Sequence, residues 1–530
     1  MTAIDPNGPV GVVGTGTMGQ GIAQVALLAG HPVRLYDVAP GRASMAADAI
    51  VARLNRLVDK GRLTTAERDA AHAALQPVTE LAGMADAHLV IEAILEELGA
   101  KQQLFTALET VVPEDCLLAT NTSSLSVTAV AGALRRPGRF VGLHFFNPAP
   151  LLPLVEVVSG YATDASAATR VYDTAAAWGK TPVRCADTPG FIVNRVARPF
   201  YAEAFRLLEE RAADPATIDA VLRDCGGFRM GPFELTDLIG QDVNAAVTHS
   251  VWEAFFRDPK FTPSQAQRRL VEAGLHGRKA GRGWFDHGEG ASAPLPHTAD
   301  PCQAPPEVTV SGNLGPAQEL TELIAAAGIK IAYAEQPAVG VGQRPPAEPH
   351  GAILLPDGTE LRLTDGRLAT NTHGPDRIVF DLALDYRAAT RIALAPGDRV
   401  AQQSLADAVG LFQALGKQVS VIQDTPGLVV ARTVALLVDL AAETVSQGAA
   451  TDTDVDTAMR LGVNYPLGPL AWGDRLGARW VTDLLDALHD LYPGGRYAPS
   501  LLLRRCAATG RTLLRPAPEG TGAETRKGAG

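Results

Sequence analysis

The chain changes its apolar rhythm part-way along. Up to about residue 186, short apolar runs alternate with stretches whose apolar positions recur every three or four residues. "VGVV", "HPVRLYD", "AHLVIEAI", "CLLATNTS", "RFVGLHFFNP" and "LPLVEVV" read as strands, and "EELGAKQQLFTALETVV" reads as a helix between two of them. Strands alternating with helices predict a doubly wound parallel sheet. From Asp187 the strand rhythm stops. "PGFIVNRVARPFYAEAFRLLEE" predicts one amphipathic helix, "DPATIDAVLRDCGG" a second with an Asp-Pro start and a Gly-Gly stop, and "GPFELTDLIGQDVNAAVTHSVW" one or two more.

The helical stretch then recurs. "DTPGFIVNR" begins at Asp187 and "DTPGLVVAR" at Asp424. Shifting the numbering by 427 minus 190, or 237, lays Gly190 on Gly427, Asp219 on Asp456, Arg223 on Arg460, Gly231-Pro232 on Gly468-Pro469, Asp237 on Asp474 and Gly240 on Gly477, without a gap. This is an internal duplication. The same shift lays His144 on Asp381, Glu156 on Ala393, Ser123 on Glu360 and Asn194 on Ala431. The repeat keeps residues that build a fold and drops polar ones. The expected organisation is a nucleotide-binding α/β domain over 1–186, a helical domain over 187–288, and a Pro/Ala/Gly-rich linker over 289–307. A degenerate α/β unit over 308–420 follows, then a second helical domain over 421–514 and a disordered tail over 515–530. Within the degenerate unit, "RPPAEPH" and "PDGTE" read as turns, and "RIVFDLAL" and "QVSVIQD" as strands.

Between the first two strands, Gly14, Gly16 and Gly19 form G-x-G-x-x-G, with Thr15, Thr17 and Met18 completing the loop. The strand–loop–helix–strand setting is the one a dinucleotide pyrophosphate requires. Asp37 ends the second strand 18 residues after Gly19, where a carboxylate accepts from ribose hydroxyls and repels a 2′-phosphate. NAD is therefore expected rather than NADP. The competing reading is a glycine turn in a flavin-binding or ligand-free domain of the same type.

Three polar residues fall where such a sheet presents its strand ends: Ser123, His144 and Glu156. Each has a plain alternative: a helix cap for Ser123, a satisfied core residue for His144, a water-facing edge for Glu156. Together they suit alcohol oxidation. A carboxylate beside an imidazole relieves the cost of its own burial and raises the imidazole's basicity, and the imidazole takes the hydroxyl proton as hydride leaves. Arg53, Arg56 and Lys60 lie at helical spacing and read either as a solvated face or as a local site for an anion.

"GTGTMGQGIA", "NTSSLS", "GLHFFNPAP", "LVEVV", "DTPGFIVNR" and "GPFELTDLIG" stand in an order and spacing that resembles the 3-hydroxyacyl-CoA dehydrogenase family over residues 1–290. The resemblance implies an α/β Rossmann-like N-terminal domain followed by an all-helical domain, here with a partial degenerate second copy. It implies NAD as cofactor and an acyl-CoA as substrate. His144 would be the general base and Glu156 its partner, with Ser123 and Asn194 holding substrate. Glu96, Lys101 and Lys279 would contact NAD, and Lys60 would meet the CoA phosphates. The family carries a serine near the position of Arg53, so that CoA contact is open here. The duplicated layout and "DTAMRLGVNYPLGPLAWGD" resemble the members of bacterial phenylacetate degradation, which act on 3-hydroxyadipyl-CoA. 3-Hydroxybutyryl-CoA is the alternative substrate, and no residue in the sequence marks a pocket for a distal carboxylate. A polyol or sugar-acid dehydrogenase without a CoA site, and a non-catalytic NAD-binding scaffold, are the rival readings.

The 530 residues carry a net charge of -11 with no offsetting basic block, which argues against nucleic acid. Five scattered cysteines lack metal spacing and suit a reduced, cytoplasmic protein. No run is apolar enough to predict a membrane span, and no signal segment is read at the N-terminus. Either a homodimer or a pseudo-dimeric monomer is expected.

Overall fold

The computed structural model describes residues 3–334, 351–370 and 374–515. The "RPPAEPH" segment and nearly all of the expected tail lie outside the described residues. The first sheet has eight strands: β1 (Val10–Val13), β2 (Val33–Tyr36), β3 (Leu75–Pro77), β4 (Leu89–Glu92), β5 (Leu117–Thr120), β6 (Phe140–Phe145), β7 (Leu154–Ser159) and β8 (Thr181–Ala186). Their order is β3-β2-β1-β4-β5-β6-β7-β8. The central strands are buried on both faces, as their unbroken apolar runs require.

The sheet is not wholly parallel. β7 runs antiparallel to β6, while β8 runs parallel to β7. The chain from Phe146 to Pro153 is too short for a crossover, so it can only turn back. That reversal sets His144 directly across from Glu156.

The predicted single helix after Asp187 is two pieces, Val193–Val196 and Arg198–Glu209. Pro199 explains the break, because its ring cannot sit in an uninterrupted helix. The repeat has Leu436 at that place and forms one helix, Val430–Ser446.

The second sheet is β9 (Glu307–Ser311), β10 (Lys330–Tyr333), β11 (Ala352–Leu354), β12 (Glu360–Leu363), β13 (Arg377–Phe380), β14 (Arg391–Pro396) and β15 (Gln418–Val421), in the order β10-β9-β11-β12-β13-β14-β15. Its last four strands repeat the directions of β5 to β8: parallel, antiparallel, parallel. The 237-residue shift carries β7 onto β14 without slippage. It fails two strands earlier, because β5 ends at Thr120 and β12 at Leu363, a separation of 243. The pairing of Ser123 with Glu360 is therefore wrong, whereas those of His144 with Asp381 and Glu156 with Ala393 hold.

The two copies pack on each other with pseudo-twofold symmetry. Ala186 N–H donates to the Ala449 carbonyl at 2.7 Å, and the shifted pair, Gln423 N–H to the Ala212 carbonyl, is 3.0 Å. Arg195 donates to Gln447 at 2.7 Å, and the shifted Arg432 donates to Glu210 at 2.8 Å. This reciprocity is that of a symmetric dimer interface, realised within one chain. The stretch read as a linker has no regular element, yet it is not a loose tether. His297, Ala299 and Cys302 donate backbone N–H groups to Thr217, Val419 and Gln413.

Candidate active site

The glycine loop follows β1, and each glycine answers a different constraint. Gly14 has φ +97°, and a Cβ there would meet the Ala93 carbonyl oxygen at 2.4 Å. A Cβ on Gly19 would lie 1.8 Å from the Gly14 carbonyl oxygen, so helix and strand could not approach. Around Gly16 nothing lies within 4 Å of the added atom. That open space faces a helix N-terminus, Thr17–Leu28, with no side-chain cap and no acidic residue in its first turn. Free N–H groups and clearance are what a pyrophosphate needs, so the loop fits NAD.

Asp37 lies beside this loop. It accepts from the Thr15 N–H at 3.0 Å, the Thr15 hydroxyl at 2.6 Å and the Ala39 N–H at 3.0 Å. Burial works against its charge, but these donors outweigh it and hold its carboxyl below the usual range. Thr15 is buried, so its hydroxyl serves Asp37.

His144 Nδ1 lies 2.6 Å from Glu156 Oε2. The other oxygen, Oε1, accepts from the N–H groups of Ile192 at 3.1 Å and Val193 at 2.9 Å. Glu156 is wholly buried, and both of its carboxylate oxygens are engaged. One carboxylate thus fixes the imidazole tautomer and pins the short helix that carries Asn194. His144 Nε2 has no partner among the described residues and is not sealed from solvent. Phe146 and Phe191 pack on the ring at centroid distances of 4.6 and 5.7 Å. Neither was foreseen, although both sit inside motifs that carry the catalytic residues.

Ser123 lies in the loop after β5. Its N–H donates to Glu96 at 2.9 Å, and its hydroxyl is free among the described residues. The Asn194 side chain is likewise unpartnered. Asn121 accepts from the Phe145 N–H at 2.9 Å and so ties the Ser123 loop to the strand of His144.

One sequence expectation needs correction. Lys101 is 1% exposed, with its ammonium on Glu92 at 2.5 Å and Glu96 at 3.2 Å, so it cannot reach a cofactor. Its role is to seat Glu96, which also accepts from Thr122, Ser123 and Ser124. Burial raises the Glu96 pKa, but Lys101 and these donors overcome it and bring it down to about 2. Glu96 thereby braces the Ser123 loop. Lys279 is half-exposed in the helical domain and paired with Asp242 at 2.7 Å. Arg53 donates to Gln24 at 3.1 Å and Gln20 at 2.9 Å, which ties two helices together, and it has no ion pair among the described residues. Lys60 ends the Arg42–Asp59 helix, exposed and without an ion pair among the described residues. The Glu92–Lys101 pair was missed. Glu92 stands in "LVIEAI", the same lone carboxylate in an apolar strand that marked Glu156.

Family models match along both copies. The NAD-binding domain of 3-hydroxyacyl-CoA dehydrogenase matches residues 9–188, and its C-terminal domain matches 190–287 and again 427–517. The reduced Rossmann-fold domain of 3-hydroxybutyryl-CoA dehydrogenase matches 361–426. A 3-hydroxyadipyl-CoA dehydrogenase of Escherichia coli is 43% identical over 94% of this chain and 97% of its own. A 3-hydroxybutyryl-CoA dehydrogenase of Mycobacterium tuberculosis is 40% identical over 52% of this chain and 98% of its own. A crystal structure of a 3-hydroxybutyryl-CoA dehydrogenase from Escherichia coli superposes with a TM-score of 0.84 at 41% identity, covering 95% of this chain and 99% of that one. With both copies matched and the dyad in place, the chain belongs to the 3-hydroxyacyl-CoA dehydrogenase family and is an NAD-dependent oxidoreductase.

Proposed function

We propose that the substrate is (S)-3-hydroxyadipyl-CoA, oxidised to 3-oxoadipyl-CoA. The observation that carries this is the length of the likeness. The 3-hydroxyadipyl-CoA dehydrogenase of Escherichia coli matches through both copies, whereas the Mycobacterium tuberculosis 3-hydroxybutyryl-CoA dehydrogenase matches about half the chain. The second reading is 3-hydroxybutyryl-CoA, favoured by the likeness, through both copies, to the 3-hydroxybutyryl-CoA dehydrogenase crystal structure from Escherichia coli.

Under either reading the residues have the same tasks. His144 Nε2 receives the C3 hydroxyl proton. Glu156, fixed by two backbone N–H groups, stabilises the imidazolium that results. The free Ser123 hydroxyl and Asn194 amide orient the hydroxyl and the thioester carbonyl. NAD, when bound at the glycine loop, supplies the hydride acceptor. Lys60 offers an unpaired cation to the CoA phosphates.

The test follows NADH absorbance with NAD and each acyl-CoA in turn. A higher kcat/KM for 3-hydroxyadipyl-CoA than for 3-hydroxybutyryl-CoA is expected, and the reverse order would sink the proposal.

A further inference from the structure

Five arginines are buried among the described residues: Arg195, Arg198, Arg391, Arg432 and Arg496. Three are ion-paired: Arg432 with Glu203 and Glu210, Arg496 with Glu203, and Arg391 with Asp224. Arg195 makes no ion pair among the described residues and its Nε and Nη1 are buried without a partner, but Glu443 and Asp258 stand in its electrostatic surroundings. Arg198 has no acidic partner among the described residues. It is 4% exposed, and its charged or ionisable neighbours are two phenols, Tyr201 and Tyr465. Its Nη1 donates to the neutral Thr248 hydroxyl at 3.0 Å, and its guanidinium lies 5.0 Å from the centre of the Tyr201 ring. Nε is buried with no partner, and Nη2 has no partner among the described residues.

A buried cation with no counter-ion is costly, and structures tolerate it where a ligand supplies the missing charge. A second orphan lies close by. The Tyr465 hydroxyl is also buried and unpartnered. The 237-residue shift lays Phe228 on Tyr465, so the second copy has a hydroxyl where the first has bare ring.

Position points to the occupant. Arg198 follows Asn194 by four residues, and Ala197 at the junction of the two helix pieces keeps right-handed helical angles, so the two stand about one turn or roughly 6 Å apart. The N–H groups of Ile192 and Val193, just before Asn194, hold the partner of His144. In a 3-hydroxyadipyl chain the distal carboxylate stands three carbon–carbon bonds beyond the reacting C3, roughly 4–5 Å when extended. A planar, bidentate guanidinium is the group suited to such an anion.

We propose that Arg198, aided by the Tyr465 hydroxyl, binds the distal carboxylate of a dicarboxylyl-CoA substrate. The degenerate copy thus contributes a specificity residue to the active site of the first. This rests on the substrate reading given above and names the residues that carry it out.

The experiment compares 3-hydroxyadipyl-CoA with 3-hydroxyhexanoyl-CoA, which has the same carbon chain without the second carboxylate. The wild-type protein should favour the adipyl substrate by about tenfold or more in kcat/KM, since an uncharged tail leaves the guanidinium unpaired. Arg198→Met should lose roughly 100-fold on the adipyl substrate and far less on the hexanoyl one, inverting the preference. Tyr465→Phe should weaken the adipyl substrate alone, by about threefold to tenfold. Adipyl-CoA against hexanoyl-CoA as inhibitors of the wild-type protein supplies a reading that needs no variant, and the adipyl compound should bind more tightly. Equal losses on both substrates in Arg198→Met would make the arginine a structural residue and overturn the proposal. A wild-type protein that oxidises both six-carbon substrates equally would overturn it too, while leaving oxidation of 3-hydroxyadipyl-CoA standing. Turnover of 3-hydroxybutyryl-CoA alone would remove both.

Discussion

Asp381 occupies the place of His144 in the second copy but does the work of Glu156. Its carboxylate accepts from the N–H groups of Val429, Val430 and Ala431 at 2.8 to 3.0 Å, the helix start that matches the one Glu156 holds through Ile192 and Val193. The position of Glu156 itself has become Ala393. Where the first copy has a two-residue dyad, the second has one carboxylate that caps a helix. Asp381→Ala should cost about 1–3 kcal/mol of stability, since it strands buried donors. Denaturant unfolding would measure this. The kcat of the folded variant should stay near that of the wild type. A stable but inactive variant would contradict a purely structural role.

His144→Gln should lower kcat by about 100-fold to 10,000-fold, the usual worth of a general base. NAD affinity should hold, because the glycine loop and Asp37 are untouched. Both can be read from one preparation, by NADH formation and by cofactor titration. Near-normal turnover would remove His144 from the chemistry.

The carboxylate of Asp37 is fixed in place by Thr15 and Ala39. A strong preference for NAD over NADP in kcat/KM is expected, and Asp37→Ser should narrow it. Equal use of both cofactors by the wild-type protein would contradict the placement.

Glu203 joins the copies. It is buried between Arg432 at 2.6 Å, Arg496 at 2.6 Å and the Tyr497 hydroxyl at 2.7 Å. Burial raises its pKa, but Arg496 and Arg432 outweigh this and bring it down to about 2. A depressed folded-state pKa means that its stabilisation is complete above the ordinary glutamate value near 4.5 and is lost as pH falls towards 2. Glu203→Gln should cost about 3–5 kcal/mol at neutral pH, because buried Arg496 loses its counter-charge and Arg432 is left with Glu210 alone. Its stability should also fall less steeply below pH 4.5 than that of the wild type. A parallel acid profile in the two proteins would rule out Glu203 as the titrating group.

One NADH should bind per chain. G-x-G-x-x-G occurs once, and the second sheet repeats only the strands of the first that lie beyond the nucleotide loop. Removing residues 300–530 should leave a protein that aggregates or unfolds readily, because the Arg198–Glu209 helix would lose the Val430–Ser446 helix packed on it. Two NADH sites per chain, or a stable and fully active monomeric truncation, would refute this.

The glycine loop, Asp37 and the His144, Glu156 and Asn194 motifs were legible in the sequence because their demands are local. A turn needs a particular backbone, and a carboxylate in an apolar strand needs a partner. The duplication was legible because capping aspartates such as Asp219 and Asp456 do the same task fourteen residues from the N–H groups of Phe233 and Leu470. Three things depended on the tertiary structure. The reversal of β7 sets His144 against Glu156 across a strand pair, and strand direction follows from connection length and packing rather than from apolar rhythm. Lys101, which the family resemblance gave to the cofactor, is sealed because Glu92 on a neighbouring strand end draws its charge inward. Arg198 read as one more polar residue on a helix. Only the packing of the second copy, which brings Tyr465 beside it, reveals a buried charge with no acidic partner among the described residues, because burial and pairing are properties of what surrounds a residue and not of its place in the chain.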